Sequence, residues 1–425
     1  MSTRDLRLGA WVGALLAMVM TGAPAHADQS IMGALTHGKP LIELRTRFES
    51  VDDENCAPCA GRTAQAFTTR ARVGYETAKW YKLSLLAEFD AVIGAGQYND
   101  TRNGKSLYPT VADPDIITLN RLQLNYKLDL DTALTLGRQR LVIGNQRFVG
   151  NVGWRNHEQT FDAFSVTNGS IRNLSVTYAY IDRVNRIFTP RSPRPATGLQ
   201  GHFDSNSHIF DATYVGIQGL KLEAYALLLD LSQQGPSAIA AKRLSTQTFG
   251  IRAEEKYDLT SQVKLLVNGE YANQRDYQEN PLDFNLNYWV GEGGIAWKGL
   301  TATGALESLG SNKTTGFSTP LATLHAFDGW ADVFLTTPGA GLNDTYGKVV
   351  YTWKNVWDLQ AISATIMYHD FNAARGGADF GNEWDASLGV AVDKRLSFLA
   401  KFASFDGEGT FKDKSIVWFQ AEYKY

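Results

Sequence analysis

Cysteine and long apolar runs are both scarce in this 425-residue sequence. The chain has two cysteines, which are too few to hold a zinc ion by themselves. Past its first residues it has no stretch of about 18 apolar residues in a row, which excludes a membrane-spanning helix there. The G-x-G-x-x-G, P-loop and H-E-x-x-H motifs are also missing. We therefore expect no cofactor and no metal site.

Excess positive charge and a catalytic motif are lacking as well. The formal net charge is -3, which excludes a nucleic-acid-binding protein on global charge. A hydrolase needs a nucleophile beside a base, and no histidine falls in a recognisable serine or cysteine motif. The sequence therefore predicts no catalytic residues. The scattered histidines are His26, His37, His157, His202, His208, His325 and His369.

The first 27 residues have the features of a secretory signal peptide. Arg4 and Arg7 precede the apolar run Leu8–Met20, and Ala25-His26-Ala27 forms a cleavage site of the A-x-A type. We expect the mature chain to begin near Asp28 and to carry a short N-terminal segment over residues 28–40. That segment is too short for the folded plug domain of an actively gated receptor.

The remaining sequence is rich in aromatic residues and alternates between apolar and polar side chains. It contains 18 Tyr, 10 Trp and 21 Phe. In Phe67–Glu76 the apolar residues occupy every second position, and Arg70 and Arg72 lie between them. Because successive side chains of a strand point to opposite faces, these runs predict amphipathic strands. Such alternation is typical of a transmembrane barrel, in which a polar lumen and an apolar outer face balance.

About 18 strands can be counted, and the gaps between them alternate strictly between short and long. This pattern predicts a transmembrane antiparallel up-and-down β-barrel over residues 41–425, with short periplasmic turns and long extracellular loops, in the bacterial outer membrane. The loop Gly310–Thr345 is the longest and has the length to fold into the pore. The predicted strands are 41–49, 67–77, 81–93, 116–128, 131–139, 159–167, 173–182, 206–215, 219–230, 245–257, 261–274, 286–297, 299–309, 346–354, 358–370, 382–393, 395–405 and 414–425.

The final strand indicates two partners. Ile416–Tyr425 alternates and ends on an aromatic residue, similar to the signal by which outer-membrane barrels are handed to their assembly machinery. We therefore expect the barrel-assembly machinery and outer-membrane lipids as partners, besides the solutes that cross the pore.

Arginines gather on the polar faces of the first five predicted strands. A lumen can hold ionisable groups that the lipid face cannot, because an arginine at the bilayer midplane costs roughly 2–4 kcal/mol. One hypothesis is an anion-selective constriction. The other is that the arginines pair with carboxylates and only fill the lumen. The predicted pore-lining residues are Arg45, Arg47, Arg70, Arg72, Arg121, Arg138, Glu43, Glu88 and Asp90.

The face taken by Arg138 is left open. It shares strand parity with Leu134 and Leu136, which should face lipid. Either Gly137 marks a bulge that switches the face, or the strand has already left the bilayer.

Cys56 and Cys59 lie in the first long loop. A cell-surface location favours a disulfide between them. The motif lacks a following histidine, so covalent haem attachment is not indicated.

Several stretches resemble the alginate-export family of outer-membrane porins. The resemblance implies an 18-stranded monomeric barrel with an arginine-rich electropositive constriction, a polyanionic polysaccharide as the best-known cargo, and Arg45, Arg47, Arg70, Arg72, Arg121 and Arg138 as pore-lining residues. The matching stretches are Leu44–Glu49, Thr68–Glu76, Ala87–Asp90, Asn120–Leu124, Leu136–Leu141, Asn145–Gly150 and Trp154–Ala163.

The chain departs from this family late in the barrel. The best-known member gates its pore with a long periplasmic loop, whereas the turns at Asn355–Trp357 and Lys394 are short here. This difference favours a porin for small or anionic solutes over a polysaccharide exporter. Two other functions stay open, namely an adhesive or structural barrel without a conducting pore and an outer-membrane hydrolase. A barrel of about 18 strands normally encloses an aqueous channel, which favours transport.

Overall fold

The computed structural model describes residues 30–59, 61–189 and 201–425. The predicted signal peptide, residues 1–27, lies outside the described residues. The described chain begins with a short helix, α1 (Ile31–Thr36), whose first turn is capped by the Ser30 hydroxyl accepting from the amide of Gly33. Over these three described ranges, no helix is both long and apolar enough to cross a membrane.

The described residues form eighteen main strands. The strand at Leu220–Leu229 continues beyond Asp230 as a two-residue extension, Leu231–Ser232, which pairs with the strand at His202–Ile217. The strands are β1 (Lys39–Asp53), β2 (Ala64–Glu76), β3 (Leu83–Gln97), β4 (Ile116–Leu128), β5 (Thr132–Gln139), β6 (Thr160–Asn168), β7 (Leu174–Asn185), β8 (His202–Ile217), β9 (Leu220–Leu229), β10 (Thr246–Asp258), β11 (Val263–Asp276), β12 (Asn285–Trp297), β13 (Leu300–Leu309), β14 (Leu342–Val356), β15 (Leu359–Asn372), β16 (Asp379–Ala391), β17 (Leu396–Gly407) and β18 (Lys414–Lys424).

These strands close into one antiparallel barrel. Each strand pairs with the next along the chain, and β1 pairs with β18 from Glu43 opposite Lys424 to Asp53 opposite Lys414. Closure gives each of the eighteen described strands a neighbour on both sides, so none of them has a free edge. The predicted all-β, 18-stranded antiparallel barrel is therefore confirmed. β1 begins two residues earlier than expected, at Lys39.

Burial along the strands follows the alternation in the sequence, with the polar face inside. On β2, Arg70 and Arg72 are buried, whereas Phe67 and Val73 are both 52% exposed on the outer face. The outer apolar side chains have lipid as their solvent, so their exposure carries no cost in a bilayer.

Tight turns connect the strands at one end of the barrel, and long loops connect them at the other end. Trp357 and Asp358 form the two-residue turn between Val356 and Leu359 and take positive φ angles, as such hairpin turns require; Leu130 and Asp131 do so in a three-residue turn. Short helical turns occur in the long loops. They are Ala57–Cys59, Gly235–Ser237, the five-residue helix α2 (Ala238–Lys242) and Leu324–Ala326.

Two long loops fold into the barrel, and we call them loop 3 (residues 140–159) and loop 7 (residues 310–341). They meet inside the lumen, where Val149 and Leu321 form a β-bridge and the amide of Gly150 donates to the carbonyl of Leu321 at 2.9 Å. Loop 7 is shorter than predicted, because residues 342–345 belong to β14.

Candidate functional site

One side of the lumen carries a dense set of arginines, which we call the arginine wall. It is formed by neighbouring strands β1 to β5, because the odd residues of β1 and the even residues of β2 point inward. Its members are Arg45, Arg47, Arg70, Arg72, Arg121, Arg138 and Arg140. Arg140 immediately follows β5.

The predicted carboxylates lie on the same wall and pair with these arginines. Arg72 Nε donates to Asp90 at 2.6 Å, and Arg121 makes a bidentate pair with Glu88 at 2.8 and 2.7 Å. Arg70 Nη2 donates to Glu43 at 2.9 Å. Such two-pronged pairs fix the orientation of a guanidinium group as well as its charge. Part of the wall is therefore an ion-pair network.

Arg45 and Arg47 bind the backbone of loop 3. Arg45 Nη1 donates to the carbonyls of Gly153 and Trp154 at 3.2 and 3.1 Å. Arg47 Nη2 donates to the Trp154 carbonyl at 2.8 Å and to Gln420 at 2.7 Å, and its guanidinium lies 4.0 Å from the Trp154 ring centre. Within the described part of the chain, the contacts of Arg47 are with neutral groups. Its charge is therefore not cancelled by a contacting carboxylate.

Arg138 faces the interior side of the wall. Gly137 has φ = +113°, a conformation open to glycine and strained for other residues. The Arg138 guanidinium makes two hydrogen bonds to Asp162, at 2.7 and 2.9 Å. It lines the same small cavity as His157 and Glu158 from loop 3. The backbone at Gly137 thus accompanies a change of face within β5.

The sequence reasoning missed Glu158, which ties the end of loop 3 to the arginine wall. Arg140 Nε donates to Glu158 at 2.7 Å, and Arg72 Nη2 lies 3.4 Å from it. Burial alone would raise the pKa of Glu158, but Arg72 and Arg140 outweigh it and lower the pKa to about 2. The available signal was the run Trp154–Ala163, in which Glu158 precedes β6.

Arg155 forms a second tie. Its Nη2 donates to both oxygens of Glu49, at 3.0 and 3.1 Å, and its Nη1 lies 3.7 Å from Asp113. Despite the opposing effect of burial, Glu49 and Asp113 raise the pKa of Arg155, while Arg155 and Arg47 lower that of Asp113. This half of loop 3 is thus held to the arginine wall by charge-assisted bonds.

A second stretch of the lumen wall, from β9 to β16, carries many carboxylates, and we call it the acidic wall. In the closed 18-stranded ring, the strands near β10 lie across the lumen from β1, and the acidic wall extends from there round to β16. Tyrosine hydroxyls donate to these carboxylates, with Tyr225 bound to Glu270 at 2.7 Å and Tyr288 to Glu307 at 2.8 Å. Sequence reasoning missed this acidic wall, although its glutamates alternate with apolar residues. Its strand members are Glu223, Glu254, Glu270, Glu292, Glu307, Asp344, Glu383 and Asp385.

Loop 3 reaches the acidic wall through Arg147. Arg147 Nε donates to Glu307 at 2.7 Å, and its Nη2 donates to Asp328 of loop 7 at 3.0 Å. Although burial opposes its charge, these two carboxylates raise the pKa of Arg147 well above its usual value. Asp344 joins Glu307 and Asp328 in a buried acidic cluster. With Arg147 at one end and Arg155 at the other, loop 3 crosses the lumen from wall to wall.

Loop 7 is docked by buried polar contacts. The amide of Ala331 donates to Glu383 at 2.7 Å, and that of Trp330 donates to Asp385 at 3.2 Å. Burial lowers the pKa of His325 to about 3, so its ring is neutral. Lys401 Nζ donates to His325 Nε2 at 2.7 Å, so Nδ1 carries the proton and donates to Asp332 at 2.8 Å.

Cys56 and Cys59 lie together in the first extracellular loop. Their sulfurs are bonded, and Cys59 is buried. The pair lies outside the group of side chains that lines the lumen walls.

The closed barrel, its tight turns at one end and its inward-folded loops at the other define a bacterial outer-membrane barrel of the porin class. A solved structure of OccAB2 from Acinetobacter baumannii matches with a TM-score of 0.71 and 15% identity, over 92% of this chain and 99% of that chain. The outer membrane protein OpdK from Pseudomonas aeruginosa matches with a TM-score of 0.68 and 14% identity, over 92% of this chain and 100% of that chain. These likenesses show the fold.

The chain belongs to the alginate export family, whose model matches residues 41–306, more than half of its length. The resemblance found in the sequence is thereby confirmed. No curated protein sequence matches the chain.

Proposed function

We propose that this barrel is a diffusion channel for small solutes and favours those that carry a carboxylate or another anionic group. The observation that carries the proposal is the convergence of seven arginines from neighbouring strands on one wall of the lumen. Fixed positive charge beside a narrow passage raises the local anion concentration. A guanidinium also binds a carboxylate in a bidentate way.

Charged side chains of both walls reach the open lumen. The side chains of Arg121, Arg138 and Arg140 are 15%, 18% and 27% exposed to solvent. The side chains of Glu307 and Asp344, next to loop 7, are 5% exposed or less. Glu43, at 28%, is an exposed carboxylate of the arginine wall and weakens the local positive potential. Glu254 of the acidic wall is 30% exposed, so the support for an anion preference comes from the grouping of the three exposed arginines on one side of the lumen.

The family is described as alginate export, but the geometry favours short cargo. Loop 3 is held to both walls by ion pairs and crosses the lumen. A long polymer would have to pass beside this loop. The late turn at Trp357 and Asp358 is tight and offers no long gating loop. Among the similar folds, OpdK has been solved with vanillate, a small carboxylate, at 13% identity and a TM-score of 0.68. We therefore propose small carboxylates ahead of an anionic polysaccharide.

Reversal potentials in planar bilayers under a salt gradient test this function. We expect the parent channel to prefer chloride over potassium. Removing lumen charge with Arg121→Ala plus Arg140→Ala should shift the reversal potential towards cation preference, as should Arg70→Ala plus Arg72→Ala. Arg172→Ala, in the exposed turn after β6, is the matched control and should leave selectivity unchanged. A cation-selective parent, or lumen variants that behave like the control, would show that the arginines serve structure alone.

We also propose that the chain catalyses no reaction. The buried histidines already have structural partners, because His157 bonds the carbonyl of Pro114, His325 bonds Asp332 and Lys401, and His369 bonds Asp344.

An adhesive barrel without a pore would give no conductance in the same bilayer experiment. The barrel-assembly machinery stays a predicted partner.

A further inference from the structure

We infer that the N-terminal helix α1 lies in the inner leaflet of the outer membrane and binds phospholipid there. This role is separate from transport, since α1 lies outside the lumen. It would make the start of the barrel domain a membrane anchor at the periplasmic rim.

The position of α1 follows from Tyr75. Arg70 and Arg72 of β2 point into the lumen, so Val73 and Tyr75 point to the lipid side. The Tyr75 hydroxyl donates to the carbonyl of Leu35 at 2.6 Å and accepts from the amide of Gly38 at 2.8 Å. α1 is thus attached on the lipid side of the wall, at the end of the barrel that carries the tight turns.

Two further contacts hold the helix against the rim. The amide of Ala78, in the turn between β2 and β3, donates to the carbonyl of Ala34 at 3.0 Å, and Ala34 is buried. At Gly38 a Cβ would lie 2.5 Å from the Tyr75 ring and 2.3 Å from the carbonyl oxygen of Glu76. The chain comes this close to the wall because residue 38 has no side chain.

The remaining face of α1 is apolar, and none of the described residues of the barrel covers it. Ile31, Met32 and Leu35 are 58%, 68% and 50% exposed. The neighbouring outer-face residues Val73 and Leu85 are also exposed, at 52% and 43%. The apolar surface of α1 therefore continues the lipid-facing surface of the barrel. This continuity identifies the occupant of that face as lipid.

The flanking side chains suit the headgroup level. Lys39 and Lys79 are exposed beside the helix, and Trp80 and Tyr81 lie in the adjacent turn with ring centres 5.3 Å apart. Tryptophan and tyrosine favour the membrane–water interface, and lysines beside an apolar helix face attract anionic headgroups. An element with this composition lies in the interface plane and does not span the bilayer.

Nitroxide accessibility in vesicles of phosphatidylethanolamine and phosphatidylglycerol tests the proposal. Single labels are placed through Met32→Cys on α1, Val73→Cys as the lipid reference and Lys394→Cys in a tight turn as the water reference. We expect the label at residue 32 to match residue 73, with high oxygen accessibility and loss of accessibility to a water-soluble nickel chelate. A label at residue 32 that matches residue 394 would overturn the inference.

A second variant checks that the attachment to Tyr75 places the helix. Gly38→Val should force the chain away from the Tyr75 ring and restore nickel accessibility at residue 32. Gly347→Val adds the same side chain on β14, where a Cβ has open space, and should leave the label in lipid. Each variant is first shown to form the folded barrel by its shifted band on unboiled gels. If Gly38→Val leaves the label at residue 32 in lipid, the attachment does not position the helix and the inference fails.

Discussion

Arg147 shows how one side chain sets the path of a loop. It lies between Glu307 of the acidic wall and Asp328 of loop 7 and is 1% exposed. Breaking a buried ion pair by removing one partner costs on the order of 3–5 kcal/mol, because the remaining charge is left uncompensated. Removing Arg147 would therefore leave Glu307 and Asp328 buried without a compensating positive charge.

Glu158 gives a pH-dependent prediction for the other end of loop 3. Its folded pKa of about 2 lies below its usual value of 4.5, so its stabilising effect is complete above about pH 4.5 and is lost as the pH falls towards 2. We expect open-channel current noise to be constant from neutral pH to about pH 5 and to rise under acid as loop 3 loosens. Single-channel recordings across this range measure it.

The control for that experiment is Glu158→Gln. This variant should show raised noise already at neutral pH and a smaller change on acidification, because the group that titrates has been removed. Parallel pH curves for the parent and the variant would show that Glu158 does not hold the loop.

At the scale of elements, the first extracellular loop is predicted to be stapled independently of the barrel. The ring closed by Cys56 and Cys59 spans a sequence separation of only three residues. Closing so short a loop removes little entropy from the unfolded chain, so its effect on global stability should be small. We expect Cys56→Ser plus Cys59→Ser to leave channel conductance unchanged while the loop becomes more sensitive to protease.

The redox state of this pair is read by mass spectrometry after alkylation, with and without reduction. Alkylation of both thiols without a reductant would contradict the disulfide. A double variant that no longer forms a folded barrel would contradict its local role.

The strands were predictable because the alternation of apolar and polar residues within each strand shows which side chains face lipid. In β2 the alternation of Phe67, Thr69, Ala71 and Val73 with the arginines is a property of ten consecutive residues. The lumen was less predictable. Val149 meets Leu321, and Arg45 meets Gly153, through contacts between distant parts of the chain that no local period encodes. The arginines were found from the sequence, but the neutral partners of Arg47 depend on where loop 3 runs.

At the scale of the whole molecule, the closed barrel predicts resistance to detergent. Each strand is hydrogen-bonded to its neighbours around the ring, and opening the ring would expose many backbone groups at once. We expect unboiled protein in dodecyl sulfate to migrate as a compact band that moves to the position of the unfolded chain after boiling. A single band at one position under both conditions would contradict a closed barrel.

The junction of β1 and β18 passes through the arginine wall. Arg45 lies opposite Glu422 and donates to it at 3.0 Å, and Arg47 lies opposite Gln420. These partners are hundreds of residues apart in the chain, so the arginine wall is complete only when the last strand is inserted. Completion of the ring and completion of the charged passage are consequently the same event. An assembly intermediate held open at this seam would let solutes through without sorting them.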